Sequence, residues 1–317
     1  MTNRSYEAAV AHYEHGETME SIARRMNVSR STVSRLLQAA RDSGMVQFSV
    51  TPPVADSPHG RRLAEQFGIT VHMTEAAPHM SDNERLTLVC QRAGHLVTEE
   101  LRRREGQVLG LAWGLTVSEL VRCLVPDATT TPMIVQLNGA ANARTFGTPY
   151  AMRILSQAAE KLNGHLVEFP VPAFFDRRET KQLMWEERSV QRVLDIQRKV
   201  DLAVFGIGSF HGPLTSHVYA ANYLDDDEFR ALRNDGVVGD VCTVMLREDG
   251  SWRDIEINKR ASGVNPDGLK QLPKRLFIVG SPARAAALVG ALRAGVITDL
   301  VIDEQTAIAA CKRLGRN

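Results

Sequence analysis

The sequence predicts an α/β protein preceded by a small helical module, on three observations. The residues up to Gly44 carry only helical periodicity. From Ile69 onward, short runs of Val, Ile and Leu alternate with longer helical patterns. Between them, Thr51 to Gly60 holds Pro52, Pro53, Pro58 and Gly60, the composition of an interdomain linker. The 317 residues are 44% hydrophobic and 24% charged, an ordinary globular balance that excludes a disordered, collagen-like or disulfide-stapled chain. Expected domains are therefore 1–50, a linker at 51–60, and 61–317.

In the first module, Tyr6, Ala9, Val10 and Tyr13 recur at helical spacing and stop at Gly16. Thr18 is the N-cap expected for a second helix with the stripe Met19, Ile22, Ala23 and Met26, and Asn27 tolerates the left-handed turn that follows. Ser29 is the expected N-cap of a third helix, with Val33, Leu36, Leu37 and Ala40 inward and Gly44 ending it. Two short helices, a tight turn and a third helix with an exposed polar first turn form a helix-turn-helix, whose last helix enters the major groove of DNA. Met45 to Val50, weakly alternating, is a candidate wing strand.

Charge supports that reading locally. The chain as a whole is only +1, yet residues 24–41 hold Arg24, Arg25, Arg30, Arg35 and Arg41 with no acid. Short hydroxyls reach phosphates or base edges without holding a helix away, and arginine grips guanine bidentately. Ser29, Arg30, Ser31, Thr32 and Arg35 are therefore placed at operator DNA, with Arg24 and Arg25 attracting phosphate.

The larger domain reads as strands at Ile69–Met73, Val108–Ala112, Met133–Leu137, Leu166–Val171, Leu202–Ile207, Leu276–Val279 and Ile297–Ile302. Helices are expected at 82–104, 116–124, 149–162, 177–199, 282–293 and 304–314. Such alternation implies a parallel sheet covered on both faces, whose ligands bind beyond the carboxyl ends of the strands. Those ends are rich in glycine: Trp113-Gly114-Leu115-Thr116, Asn138-Gly139-Ala140-Ala141 with Arg144 beyond, Gly206-Ile207-Gly208, and Gly280-Ser281-Pro282-Ala283-Arg284. Glycine admits a ligand close to the backbone, and a following helix N-terminus favours an anion such as phosphate.

Gly206-Ile207-Gly208 is not a dinucleotide fingerprint, because the next glycine is Gly212 and no helix opens there. The acidic run Asp225 to Glu228 lacks spaced histidines and reads as a helix start. Cys90, Cys123, Cys242 and Cys311 lie far apart without a CxxC pair, so they read as buried thiols. No cofactor, metal or catalytic residue is expected. No run approaches the roughly 20 apolar residues of a bilayer span, and the N-terminus has no signal-peptide core, so a cytoplasmic protein without a membrane partner is expected.

Ordered markers run down the chain: Gly110-Leu111-Ala112-Trp113-Gly114-Leu115-Thr116, Val135-Gln136-Leu137-Asn138-Gly139, Asp201 to Ser209, Gly239-Asp240-Val241-Cys242, Asp249-Gly250, Asn258-Lys259-Arg260 and Ile302-Asp303-Glu304-Gln305-Thr306-Ala307. In these the chain resembles the SorC/DeoR-type sugar-binding bacterial transcriptional regulators over its whole length. The resemblance implies a Rossmann-like effector domain of the ribose-phosphate isomerase and glucosamine-phosphate deaminase type. It also implies a phosphorylated sugar or polyol as effector, and an oligomer, dimer or tetramer, on the operator. Family effector contacts carry over to Asn138, Gly139, Ala140, Gly206, Gly208, Asp240, Arg260 and Arg284. Where the family commonly has Gly-Gly-x-x-Lys this chain has Gly280 to Arg284, and the loop after Gly139 lacks the threonines of some members. An isomerase or deaminase carrying a helical module is the rival reading, with Asp240, Glu168 and His217 available for acid-base work, although no spacing groups them.

Overall fold

The computed structural model describes residues 2–46, 57–127, 129–142, 148–210, 216–220 and 223–315, and the chain divides into two units, Met1–Val50 and Thr51–Asn317. In the first, α1 (Thr2–Ala9) widens into a π-helical turn at Val10–Glu14 and stops at Gly16, φ +67°. Helix α2 (Met19–Arg25) begins where Thr18 Oγ1 accepts the Ser21 N–H at 3.2 Å. Asn27, φ +52°, makes the turn. Helix α3 (Arg30–Asp42) begins where Ser29 Oγ accepts the Thr32 N–H at 3.1 Å. Ala8, Ala11, Ile22, Val33, Leu37 and Ala40 close a small core of their own. Met45 and Val46 form no strand, and the rest of the expected wing, 47–50, lies outside the described residues.

Of the expected linker, 51–56 also lie outside the described residues, and by Pro58 it has already become helix. Ser57 caps α4 (Pro58–Phe67), with Pro58 in the first turn, where its missing N–H costs nothing. The chain then runs through β1 (Thr70–Thr74), α5 (Asp82–Leu101), β2 (Val108–Leu111), α6 (Leu115–Cys123), β3 (Met133–Gln136), α7 (Thr148–Lys161), β4 (His165–Val167), α8 (Arg178–Glu186), α9 (Arg188–Gln197) and β5 (Leu202–Phe205). Next come β6 (Gly208–Ser209), α10 (His217–Ala220), α11 (Asp226–Asn234), β7 (Val237–Val241), β8 (Val244–Arg247), α12 (Pro266–Lys270), β9 (Lys274–Val279), α13 (Ala285–Arg293), β10 (Asp299–Asp303) and α14 (Glu304–Leu314).

Seven strands form one parallel sheet in the order β1-β10-β9-β5-β2-β3-β4. Every position of β5 and of β10 is buried, as strands covered on both faces require. The order reverses once beside β2: β3 and β4 step outward on one side, and β5, β9 and β10 on the other. A crevice opens at such a reversal, because the connections leave toward opposite faces.

The helix expected at 177–199 is broken at Glu187, whose ψ of 133° is extended. Helix α9 buries Val190, Val193, Leu194 and Gln197, whereas α8 buries no residue and is redirected by Trp185, which packs edge-on against Phe169 and Phe175. The sequence pattern also concealed a small antiparallel sheet, β6-β7-β8, set beside the main one. Its β7–β8 turn has Cys242 at φ +47° and Thr243 at φ +67°. Asparagine and glycine usually occupy such turns, so a β-branched residue there is strained, a condition that concentrates at binding sites.

A buried ion pair ties the sheet to its cover. Arg85 on α5 donates to Asp303 Oδ1 at 3.0 Å and to the carbonyls of Ala77, Pro78 and Met80. Asp303, with no solvent exposure, also caps α14 by accepting the Gln305 and Thr306 N–H groups. Asn258 completes β8 laterally, accepting the Met245 N–H and donating to the Met245 carbonyl.

Candidate functional site

At the β2–β5 reversal lies a compact cavity of ≈40 Å³, at the strand ends where open parallel sheets bind their ligands. From β2 come Trp113, Gly114 and the start of α6. Gly114 stands at the N-cap with φ +136° and offers no side chain, so the first-turn N–H groups of α6 are left for another acceptor. A helix start of this kind favours negative charge.

From β3 comes Asn138, 1% exposed. Its Oδ1 is buried and has no hydrogen-bond partner among the described residues, a condition that costs about 1–3 kcal/mol unless a donor fills it. A ligand hydroxyl in the cavity is such a donor. Trp113 Nε1 donates to the carbonyls of Asn138 and Gly139, at 3.1 and 3.0 Å, and so locks the β3 loop to the β2 loop. The Trp113 ring is in turn stacked on Tyr223, and His217 and Tyr150 stack on each other edge-on to it.

From β5 come Gly206, Ile207 and Gly208, and from the small sheet Asp240, Cys242 and Thr243. Tyr219 Oη donates to Asp240 Oδ1 at 2.6 Å, and the strained Thr243 donates its N–H to Oδ2 at 3.0 Å. Burial pushes the Asp240 carboxyl above its ordinary range, against the pull of Tyr219, Thr243 and the Arg284 charge. Arg284, 4% exposed, closes the floor and donates to the Ile207 carbonyl at 3.0 Å. Burial disfavours its cation and Asp240 and Asp82 offset that cost; a guanidinium stays charged under any such shift. Among the described residues the cavity therefore offers one fixed cation, one carboxylate, an amide oxygen in need of a donor, and an open helix start.

Gly208 shows why this loop tolerates no side chain. A Cβ there would stand 1.8 Å from Asp240 Oδ1. Gly208→Ala is expected to push the carboxylate off its Tyr219 and Thr243 donors. It should lower the unfolding free energy by about 1–3 kcal/mol, read as a lower urea midpoint with an unchanged slope.

Five residues expected from sequence converge here: Asn138, Gly206, Gly208, Asp240 and Arg284. Gly139 lies behind the wall, giving its N–H to Ser262 Oγ, and its Cβ would stand 2.4 Å from the Val171 carbonyl. Its absence of side chain serves packing. Ala140 lines a neighbouring hollow with Phe169 and Val171. Arg260, expected at the ligand, instead pairs with Glu228 and donates to the Phe175 carbonyl, tying α11 to the chain after β4. Arg144 lies outside the described residues. The sequence did not mark Ser216, Tyr219 and Thr243 as site residues, since only the small sheet and α10 with the residue before it bring them in.

In the first unit Arg24, Arg25, Arg30, Ser31 and Arg35 are all exposed. Arg30 stands 3.3 Å from Glu20, and Arg25 reaches Glu7 and Glu17. Pairs this exposed are worth little and yield readily to phosphate. Among the described residues Arg24 and Arg35 make no ion pair. Ser29 spends its hydroxyl on the cap and on Ser31 and Thr32, both at 2.8 Å, so the first turn of α3 arrives as a preformed hydroxyl cluster.

Comparison with known proteins agrees with both units. The family described as "Putative sugar-binding domain" matches residues 52–310, and a homeodomain-like domain matches residues 7–47. The chain is 27% identical to the deoxyribonucleoside regulator of Bacillus subtilis over 96% of each sequence. A solved domain of "a possible sugar-binding transcriptional regulator" from Arthrobacter aurescens superposes with a TM-score of 0.71 at 35% identity, covering 80% of this chain and 99% of that one. The full-length sorbitol operon regulator from Klebsiella pneumoniae shares the fold, with a TM-score of 0.74 at 22% identity over 98% of both chains.

Proposed function

The chain belongs to the putative sugar-binding domain family, the SorC/DeoR-type regulators to which its sequence markers point, and on that premise we propose that it is a DNA-binding transcriptional regulator of carbohydrate or polyol catabolism genes. Its operator binding is modulated by a phosphorylated sugar held in the β2–β5 cavity. One observation carries the ligand: Asn138, whose buried side-chain oxygen has no partner among the described residues, lines the same cavity as Arg284, Asp240 and the uncapped start of α6. Hydroxyl donors suit Asn138 and Asp240, and an anionic group suits Arg284 and the helix start.

In this reading the effector domain is of the ribose-phosphate isomerase and glucosamine-phosphate deaminase type, and the protein is a cytoplasmic homo-oligomer that matches a two-fold operator. Residues 1–50 are the DNA-binding domain, and the linker expected at 51–60 gives way to α4 at Pro58. Residues 61–317 form the effector and oligomerisation domain. A second reading, catalysis, draws on Asp240, a buried carboxyl with a raised pKa inside a cavity, as a general base would be. Turnover of sugar phosphates by the purified chain, with no specific DNA complex, would favour it.

The test of the regulator reading is a footprint on DNA upstream of the chain's own gene and its neighbours. Arg30→Ala and Arg35→Ala are each expected to cost about 1–3 kcal/mol of operator affinity and to relax sequence preference. Arg24→Ala and Arg25→Ala should weaken all sequences alike and flatten the salt dependence. Unchanged operator binding in both Arg30→Ala and Arg35→Ala would remove α3 from the interface.

A further inference from the structure

A second cavity, at ≈360 Å³ larger than the first, opens between the α8–α9 pair and the segment leading into α12. Among the described residues its lining includes two cations, Lys181 and Arg198, and no carboxylate. The Lys181 ammonium lies 5.4 Å from the centroid of the Trp185 ring, and Leu194 and Leu272 add apolar wall. Burial and the nearby Arg178 charge disfavour the Lys181 cation, so an anion beside it would relieve a standing cost. Arg198 is held by Asp195 at the exposed rim. Positive charge beside a flat aromatic ring and aliphatic side chains matches an organic anion with a planar apolar body.

Three lining residues of this cavity also hold the segment that carries Asn138 into the first. Gln197 Nε2 donates to the Gln136 carbonyl at 2.7 Å. The Val264 N–H donates to the Leu137 carbonyl at 3.1 Å. Ser262 Oγ accepts the Gly139 N–H at 3.0 Å. These three bonds join the lining of the second cavity to the loop that carries Asn138.

We propose that this cavity is a second ligand site, for a small aromatic carboxylate, and that its occupant biases the Gln136–Gly139 segment and through it the first cavity. The carboxylate pairs with Lys181 and Arg198, and the ring lies among Trp185, Leu194 and Leu272. The site does not depend on what the first cavity binds. Coupling between two sites is reciprocal, so each ligand alters the other's affinity by the same factor.

The chain has three tryptophans, and their indole N–H signals separate the possibilities when the full-length protein is titrated with 2-naphthoate as probe. Trp185 lines the second cavity, Trp113 bonds the Asn138–Gly139 loop, and Trp252 lines neither cavity. The expected result is a saturable shift of Trp185 and Trp113 along one binding curve, with Trp252 still. Lys181→Met, which removes the charge, and Gln271→Phe, which fills the partly open lining, should each weaken that curve at least tenfold. No saturable Trp185 shift, or an affinity unchanged from that of the unaltered protein in either variant, overturns the site. A Trp185 shift that leaves Trp113 unmoved, or a Trp113 shift that neither variant weakens, overturns the coupling.

Discussion

Asp303→Ala is expected to lower the unfolding free energy of the larger unit by about 4 kcal/mol or more, the largest effect of any single substitution considered for stability. Three losses coincide. The Arg85 guanidinium, 4% exposed at its side chain, is left buried without its counter-charge. The α14 cap onto Gln305 and Thr306 disappears. Thr306 Oγ1, which donates to the same carboxylate inside the core, loses its acceptor. Asp303→Asn separates these terms, because asparagine is also a good N-cap, so its remaining cost reports the ion pair. Urea unfolding followed by circular dichroism checks both variants. A loss below about 1 kcal/mol in Asp303→Ala would mean that the pair contributes little beyond its own desolvation.

What the sequence made legible follows from how local each determinant is. The caps Thr18 and Ser29 and the stop at Gly44, φ +74°, are written into adjacent residues, and α2 and α3 start and end where those residues place them. Strands buried on both faces, such as Leu202–Phe205, announce themselves as apolar runs. The acidic run at 225–228 reads correctly as a helix start: Asp225 and Glu228 form a reciprocal capping box on α11. The break at Glu187 was hidden, because helical periodicity continues through it and only the packing of Trp185 against Phe169 and Phe175 turns α8 aside. The small sheet was hidden too. Gly208–Ser209 is too short to show alternation, and its partner strand is about thirty residues away.

The site divides in the same way. Strand-end residues Asn138, Gly206, Gly208 and Arg284 were legible, because a parallel sheet sends its carboxyl ends to one edge. Tyr219 and Thr243 enter only through tertiary contacts on Asp240. Arg260 shows the limit of position alone: its guanidinium is consumed by Glu228 and the Phe175 carbonyl.

Arg284→Ala is expected to weaken binding of a phosphorylated effector by about tenfold to a hundredfold, the span of a charge-assisted hydrogen bond worth roughly 1.5–3 kcal/mol in a buried site. Operator affinity without effector should stay nearly intact, because α3 belongs to the other unit. The substitution also leaves Asp240 without the cation that pulls its pKa down, and so lowers the stability of the fold as well. Arg284→Lys keeps the charge and gives up the fork, and it should recover some of the affinity. Calorimetry on both variants, beside their urea midpoints, separates ligand contact from stability. Equal affinity for the phosphorylated sugar and its unphosphorylated form would remove the anion from the account.

The central claim is that one chain reads an operator and changes its grip when a sugar phosphate fills the β2–β5 cavity. Fluorescence anisotropy of a footprinted operator fragment, at fixed salt and titrated with a panel of phosphorylated sugars and polyols, tests it most directly. The account predicts that at least one phosphorylated compound shifts operator affinity severalfold or more, that its unphosphorylated form does not, and that Arg284→Ala moves the response to higher concentration. Operator affinity unmoved by every member of a broad panel, or moved equally by sugars without phosphate, would contradict it.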